Sequence, residues 1–331
     1  MVIAMIDSVL RELSPDLRKL VEQGSSFRID RQPTPSMGLN AALRGGLPYG
    51  RQVLLWGSKS SGKSTFCLQM LAMAQHEGRT CAWIDSENSF DPEWAGRLGV
   101  DTNELIVSRA HKTNDAVTVG TALLKAKVDI LVIDSISALM PAVYFNKDEL
   151  KDLGDTKQMG AEARDMTNVV KMLNYANENT LLVMISQQRK ALGSMYVKNI
   201  PTGGEAVKFF STTIIKLFSS DSEAQTVKGT IEIGDRNIEK TVGREVNWLV
   251  EANKVGPAFE NGKYRLIFEG PNVGIDSDEE LFSLLEMHGL TTKAGSWYDV
   301  FDERVQGREA AVRLLKTNKE IKERAVSAIF S

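Results

Sequence analysis

The sequence predicts an α/β fold in which a mostly parallel central sheet carries helices on both faces. Short apolar runs alternate with helix-like segments from residue 50 onward, which is the pattern of βαβ units. The runs that we assign to strands are residues 53–56, 81–85, 129–134, 181–186, 212–218 and 248–250. A phosphate-binding motif follows the first of these runs, so we expect a P-loop nucleotide-binding core.

Composition describes an ordinary globular protein of 331 residues, with 42% hydrophobic and 25% charged residues. Its net charge of −3 gives no overall basic surface, so nucleic-acid contacts must come from local loops or from repeating assembly. Cys67 and Cys81 lack metal-ligand neighbours and read as core residues of a reduced, cytoplasmic protein. No apolar run approaches membrane length, so we expect no membrane partner.

The two ends of the chain differ from its middle. Ser14 and Pro15 form a helix start, and residues 25–29 alternate as in a strand that adds to a sheet edge. After Pro271 the pattern changes to a helix, a strand and two terminal helices, as in a small α+β lobe. The predicted domains are an N-terminal segment suited to strand addition (1–29), a nucleotide-binding core (30–273) and a C-terminal domain (274–331).

A P-loop is the clearest motif. Residues 57–64 fit G-x-x-x-x-G-K-[ST] between an apolar run and a helix-like stretch. Glycines let the backbone curl around a polyphosphate, while N–H groups at the helix start face its negative charge. We expect Lys63 to reach the terminal phosphates of ATP and Ser64 to hold Mg²⁺. The predicted nucleotide contacts are Gly57, Ser58, Lys59, Ser60, Ser61, Gly62, Lys63, Ser64 and Thr65.

Polar residues end the neighbouring apolar runs. Asp134 stands where a second strand brings a carboxylate to the Mg²⁺ beside a P-loop, and Glu87 where a carboxylate can activate water. Gln187 offers an uncharged amide that can sense a γ-phosphate. Asp91 and Trp94 follow Glu87 closely, and the indole is large enough to lie against a purine base.

Two long polar connections, at about 141–160 and 188–204, begin just after predicted strands, where ligands bind in open α/β sheets. The second mixes basic and apolar side chains, as single-stranded nucleic acid requires. A charged surface loop without nucleic acid is the alternative. The DNA-binding residues predicted there are Arg189, Met195, Tyr196, Thr202, Gly203 and Gly204.

In their order and spacing, these motifs resemble those of the RecA-type recombinases of bacteria and phages. The resemblance rests on residues 45–51, 60–64, 81–87 and 295–298, with Asp134-Ser135 and Gln187 between them. It implies a helical filament on single-stranded DNA that pairs with homologous duplex and hydrolyses ATP, as in DNA recombination and repair. Lys63, Glu87 and Gln187 inherit catalytic roles, Gln187 by coupling the γ-phosphate to DNA.

The resemblance also assigns residues that no local pattern marks. It places DNA contacts at Met159, Gly160, Arg164 and Lys171, and subunit contacts at Lys208 and Phe209. It implies that the N-terminal segment docks on the next subunit through Phe27 and Ile29. Lys254 would reach the ATP bound by the neighbouring subunit.

Phe218 and Ser219 depart from the family pattern, because they replace basic residues that hold a second DNA strand. The sequence therefore supports strand exchange less strongly than it supports filament formation. The alternatives are a hexameric helicase-like ATPase and a regulatory filament-forming P-loop ATPase without strand exchange. Unwinding without homology would indicate the first, and filaments indifferent to DNA the second.

Overall fold

A computed structural model describes residues 10–18, 21, 28–141, 156–190, 199–219, 225–233 and 236–330, with the backbone alone at 156–163, 190, 232, 233 and 236. The chain divides into two compact units, Met1–Asp30 and Arg31–Ser331. In the first, the helix α1 (Pro15–Arg18) starts where the sequence predicts it. The Ser14 hydroxyl caps it by accepting the backbone N–H of Leu17 at 3.3 Å.

The second unit is built around one large sheet, with 11 strands among the described residues. A separate small ladder precedes it, formed by β1 (Arg31–Gln32) and β2 (Leu47–Pro48). The parallel part of the large sheet consists of β3 (Gln52–Gly57), β4 (Cys81–Asp85), β5 (Leu105–Ser108), β6 (Ile130–Asp134), β7 (Leu181–Lys190) and β9 (Thr213–Phe218). The order across the sheet is β9-β3-β7-β6-β4-β5.

Antiparallel strands extend the sheet beyond β9. They are β11 (Arg236–Asn253), β12 (Asn261–Ile267) and β13 (Gly274–Ile275), and β10 (Thr226–Ile233) pairs with β11 as a hairpin. The short strand β8 (Asn199–Pro201) pairs with the end of β7. The last predicted strand, residues 248–250, is thus only part of a much longer β11.

Helices cover both faces of the sheet, as predicted. Before the C-terminal lobe they are α2 (Met37–Ala42), α3 (Lys63–His76), α4 (Pro92–Arg97), α5 (Thr113–Lys125), α6 (Thr156–Ala176) and α7 (Gly204–Phe210). One face buries Phe66 and Met70 of α3 against the sheet. The other buries Val170 and Leu173 of α6. The predicted α/β class is therefore confirmed.

The first long connection ends sooner than predicted, because α6 begins at Thr156. Met159 and Gly160 consequently lie in the first turns of a helix. Apolar residues at helical spacing further along favour this helix. Two of them, Val169 and Leu173, are buried. The second connection lies between β7 and β8, which form the two sides of a hairpin.

A C-terminal lobe follows β13. It consists of α8 (Ser277–Met287), a three-stranded sheet of β14 (Thr291–Ala294), β15 (Trp297–Val300) and β16 (Glu303–Gln306), and the helices α9 (Arg308–Thr317) and α10 (Lys319–Phe330). The lobe has its own core, in which the rings of Phe282 and Tyr298 pack edge to face with centroids 5.4 Å apart.

A buried carboxylate joins this lobe to the core. Glu280 of α8 accepts the Ser36 hydroxyl at 2.7 Å and the backbone N–H groups of Met37 and Gly38 at 2.7 and 3.0 Å, so it caps α2. A Cβ on Gly38 would lie 2.9 Å from Glu280 Oε1. Burial raises the pKa of Glu280 from 4.5 to about 7, although these hydrogen bonds lower it.

The Glu280 pKa predicts how stability depends on pH. The folded state holds the proton more tightly than the unfolded state, so the free energy of unfolding falls as pH rises from 4.5 to about 7. The expected loss is about 3 kcal/mol. Glu280→Gln cannot ionise and should lack this component. Chemical denaturation at pH 5 and pH 8 measures it, with the exposed Glu309→Gln as control. Equal pH slopes for wild type and Glu280→Gln would contradict the assignment.

Candidate nucleotide and DNA site

The candidate site lies at the carboxyl edge of the parallel strands. In the ladders, Gly57 of β3 is opposite Gln187 of β7, and Asp85 of β4 is opposite Asp134 of β6. Parallel pairing therefore brings four strand ends to one edge, although their residues are far apart in the sequence. The P-loop, Glu87, Asp134 and Gln187 all lie at this edge.

The P-loop has the backbone shape that a phosphate cradle needs. Gly62 has φ +81°, and Ser60 has φ +59°. A Cβ on Gly57 would lie 1.8 Å from the Leu217 carbonyl oxygen, so no side chain fits there. Leu266 of β12 packs against Gly62 from outside, since a Cβ there would lie 2.5 Å from Leu266 Cδ2.

Lys63 lies inside this cradle. Its Nζ donates to the Ser58 carbonyl at 2.7 Å and is 3.4 Å from Gly57 O and Ser61 Oγ. Burial lowers the pKa of Lys63, while the nearby Asp134 and Glu87 carboxylates raise it. The Ser58 hydroxyl is buried with no hydrogen-bond partner. An ammonium and an orphan hydroxyl in a ring of backbone groups fit the phosphates of a nucleotide.

Ser64 and Asp134 form the metal side of the site. Ser64 Oγ donates to Asp134 Oδ2 at 2.6 Å. Burial raises the pKa of Asp134 to about 6, and the Ser64 hydrogen bond opposes that rise. One hydroxyl and one carboxylate suit Mg²⁺, which usually completes its octahedron with waters and substrate phosphates. Both predicted metal ligands are thus adjacent.

Glu87 links the metal side to the second loop. Its Oε1 accepts the Ser135 hydroxyl at 2.5 Å and the Gln187 side-chain amide at 2.7 Å. Asp85 shapes the turn that follows, since its carboxylate accepts the N–H groups of Ser89 and Phe90. The three catalytic candidates, Lys63, Glu87 and Gln187, therefore lie at the same edge of the sheet. Glu87 and Gln187 are in direct contact.

The adenine candidates sit on α4. Asp91 caps this helix through the Glu93 N–H at 2.9 Å, and Trp94 packs half-buried against the core. The Arg97 guanidinium lies 5.4 Å from the Trp94 ring centroid and donates to the Gly270 carbonyl at 3.1 Å. The sequence did not predict Arg97 and Gly270 as neighbours of Trp94, because no local pattern relates residues so far apart.

The DNA candidates that the structure describes lie on α6, near the end of β7 and between β8 and the start of α7. Arg164, Lys171 and Arg189 are exposed, and Gly203 and Gly204 have φ of +103° and +75° at the start of α7. The Thr202 N–H and hydroxyl both contact the Gln187 carbonyl at 3.1 Å, so the end of the second loop is tied to the nucleotide edge. Met195 and Tyr196 lie outside the described residues, and Met159 and Gly160 are described by their backbone alone.

The subunit-contact candidates lie elsewhere. The backbone N–H of Lys254 donates to the Thr212 carbonyl, so Lys254 is at the amino end of β9. This is the end of the sheet that lies away from the P-loop. Its Nζ contacts the carbonyl oxygen of Phe209 at 2.5 Å, and the Phe209 ring is 72% exposed. Lys208 precedes it on α7. Ile29 belongs to the first unit, and Phe27 lies outside the described residues.

Phe218 and Ser219 have cationic neighbours despite being uncharged themselves. Lys216 Nζ lies 5.4 Å from the Phe218 ring centroid and 4.9 Å from that of Trp56. Arg244 donates to the Ser219 hydroxyl at 3.3 Å. Positive charge is therefore present beside both positions, supplied by residues that the sequence pattern did not single out.

No helix in the described part of the chain combines the length and apolarity that crossing a bilayer would take.

Comparisons with known proteins agree with this geometry. The family profile described as the RecA N-terminal domain matches residues 11–274, and that of the RecA C-terminal domain matches residues 280–330. The two profiles cover the core with its site and the C-terminal lobe.

Individual relatives are similar over most of the chain. Protein RecA of Haemophilus ducreyi is 36% identical over 303 residues, which is 89% of this chain and 76% of the relative. Protein RecA of Mannheimia haemolytica is 35% identical over 300 residues, 88% of this chain and 76% of the relative. A mitochondrial DNA repair protein recA homolog of Dictyostelium discoideum is 34% identical over 322 residues, 94% and 67% respectively. This chain belongs to the RecA family.

Proposed function

We propose that this protein is a DNA-dependent ATPase that assembles on single-stranded DNA and exchanges strands with homologous duplex. The observation that carries the proposal is the contact between Glu87 and Gln187, 2.7 Å apart between the P-loop edge and the second loop. Through it, one carboxylate faces the nucleotide on one side and the DNA-side loop on the other. ATP state and DNA occupancy can then influence each other.

ATP and Mg²⁺ are the cofactors that the residues fit. Lys63 and the P-loop amides would hold the phosphates, and Ser64 and Asp134 would hold the cation, whose charge offsets that of the phosphates. Trp94 of α4 and Asp91, which caps that helix, would lie beside the base. Glu87 would orient the attacking water and receive its proton.

Filament formation is supported by the free edge of the sheet. Strand β5 pairs only with β4 among the described strands, and its Ile106 and Val107 side chains are exposed. An unpaired edge with apolar side chains is a template for an added strand. The alternating segment around Ile29 of a neighbouring copy is the strand that we propose for it. Lys254, opposite the P-loop edge of its own chain, would face the nucleotide of a neighbour.

The test of the proposed function is strand exchange between single-stranded circles and homologous linear duplex. With ATP, we expect joint molecules from homologous duplex and none from heterologous duplex. Lys63→Ala should form none, because the triphosphate loses its side-chain cation, while the exposed Lys125→Ala should match wild type. DNA-stimulated hydrolysis without joint molecules would leave a filament-forming ATPase, and unwinding without homology would indicate a helicase.

Glu87→Gln tests the catalytic assignment. The amide keeps an oxygen for the Ser135 hydroxyl but cannot take a proton from water. We expect ATP hydrolysis to fall by about a hundredfold or more, with nucleotide affinity nearly unchanged and filaments that persist on DNA. Phosphate release and nucleotide binding measure the two effects, with the exposed Glu104→Gln as control. Rapid turnover by Glu87→Gln would move the role to another residue.

Ile106→Glu tests the assembly edge. A charge in the middle of β5 would be buried by an added strand, so we expect the protein concentration needed for ATP-dependent assembly to rise about tenfold or more. Light scattering follows assembly, and nucleotide binding by the dilute protein reports intact folding. Met287→Glu places the same charge on an exposed apolar site of the C-terminal lobe and should assemble normally. Normal assembly by Ile106→Glu would exclude β5 as the docking edge.

A further inference from the structure

A chain of hydroxyl groups joins the backbone of Gln187 to the end of the second loop. The Gln187 N–H donates to Ser137 Oγ at 2.9 Å. Ser137 Oγ lies 3.4 Å from Ser186 Oγ, which donates to the Thr202 carbonyl at 2.9 Å. Ser137 itself has no contact with the P-loop in these hydrogen bonds and no part in the chemistry proposed above.

The two ends of this chain fix its direction. A backbone N–H can only donate and a carbonyl can only accept, so Ser137 accepts from Gln187 and Ser186 donates to Thr202. The hydrogen of the Ser137 hydroxyl is then available to the Ser186 oxygen. Hydrogen bonds that point the same way along such a chain polarise and strengthen one another.

Ser137 supplies a hydrogen-bond acceptor just beyond the end of the ladder between β6 and β7. The parallel ladder between β6 and β7 ends at the pair Ile133 and Met184, and the Ile136 N–H still reaches the Ile185 carbonyl. Beyond that point the chain after β6 has left the ladder. The Ser137 side chain supplies the acceptor that the next N–H on β7, that of Gln187, would otherwise lack on that side.

Both backbone polar groups of Gln187 are consequently held. Its carbonyl accepts the N–H and hydroxyl of Thr202, both at 3.1 Å, and its N–H is held by Ser137. With the backbone fixed in this way, the side-chain amide reaches Glu87 Oε1 at 2.7 Å. The position of the amide therefore depends on Ser137 as well as on the second loop.

We propose that Ser137 is a positioning residue that holds Gln187 in contact with Glu87 and so transmits DNA occupancy of the second loop to ATP hydrolysis. This inference rests on the proposed function, because it assigns the coupling to Glu87 and Gln187. Ser137 acts through Gln187 and does not touch the nucleotide. Loss of its hydroxyl disturbs the DNA response and leaves nucleotide binding intact.

The first experiment compares Ser137→Ala, Ser137→Thr and wild type in steady-state ATP hydrolysis with and without single-stranded oligonucleotide. For Ser137→Ala we expect the stimulation by DNA to fall about fivefold, the effect of leaving one partly buried N–H without its acceptor. Hydrolysis without DNA and nucleotide affinity should stay within about twofold of wild type. Ser137→Thr keeps the hydroxyl and should restore most of the stimulation.

Ser283→Ala is the matched control, because the hydroxyl of this half-buried serine in the C-terminal lobe also serves as both acceptor and donor: it accepts from the Arg308 guanidinium and donates to the Glu279 carbonyl. Its stimulation by DNA should equal that of wild type. If Ser137→Ala is too unstable to assay, Ser137→Cys replaces it, since a thiol has nearly the same shape and is a weak acceptor.

A double-mutant cycle with Gln187→Ala separates positioning from a general structural role. If Ser137 acts through Gln187, adding Ser137→Ala to Gln187→Ala causes no further loss of DNA stimulation. Additive losses, or full stimulation in Ser137→Ala alone, would overturn the proposal. Failure of the proposed function looks different: there, Glu87→Gln or Gln187→Ala alone would leave DNA-stimulated hydrolysis unchanged.

Discussion

The parallel register of β3, β7, β6 and β4 is the constraint on which the rest of the molecule depends. Each strand contributes a different group at its carboxyl end: the P-loop, an amide, a carboxylate proposed to bind the metal and a candidate base. Because parallel strands all end at the same edge, four groups that are remote in sequence meet without any long side chain reaching across the fold. The segments that leave β6 and β7 also start there, so both predicted DNA loops begin at the candidate nucleotide site.

The buried charges at this edge suit a ligand that supplies the opposite charges. Burial lowers the pKa of Lys63 and raises that of Asp134 to about 6, so both charges are held where water solvates them poorly. A triphosphate would bring negative charge to Lys63, and its cation would bring positive charge to Asp134. Pairing each buried charge in this way offsets its desolvation cost, which favours binding.

The sequence predicted the features whose signal is local. The P-loop is legible because its glycines, lysine and serine fall within residues 57–64, and β4 spans the same residues, 81–85, that its apolar run indicated. The antiparallel strands were missed or cut short because only alternate residues face the core. Of the 18 residues of β11, the sequence predicted only three, since charged and polar side chains occupy the positions between the buried ones.

Contacts between distant residues explain what else could not be predicted. Leu266 against Gly62, Arg97 with Gly270 and Ser137 with Gln187 each join different elements, and no spacing rule relates the partners. The resemblance to a family supplied roles for Gln187 and Lys254, while the effect of the departures at Phe218 and Ser219 on strand exchange stays a prediction. The sheet brings Lys216 and Arg244 beside these two positions, and the sequence alone could not predict that.

The attachment of the C-terminal lobe through Glu280 has a consequence for how the protein responds to salt. Contacts between exposed basic side chains and DNA phosphates weaken steeply as counterions accumulate. The Glu280 hydrogen bonds to Ser36, Met37 and Gly38 are buried, so dissolved ions screen them much less. Ionic strength can therefore tune the grip on DNA over a wide range while the lobe keeps its place on the core.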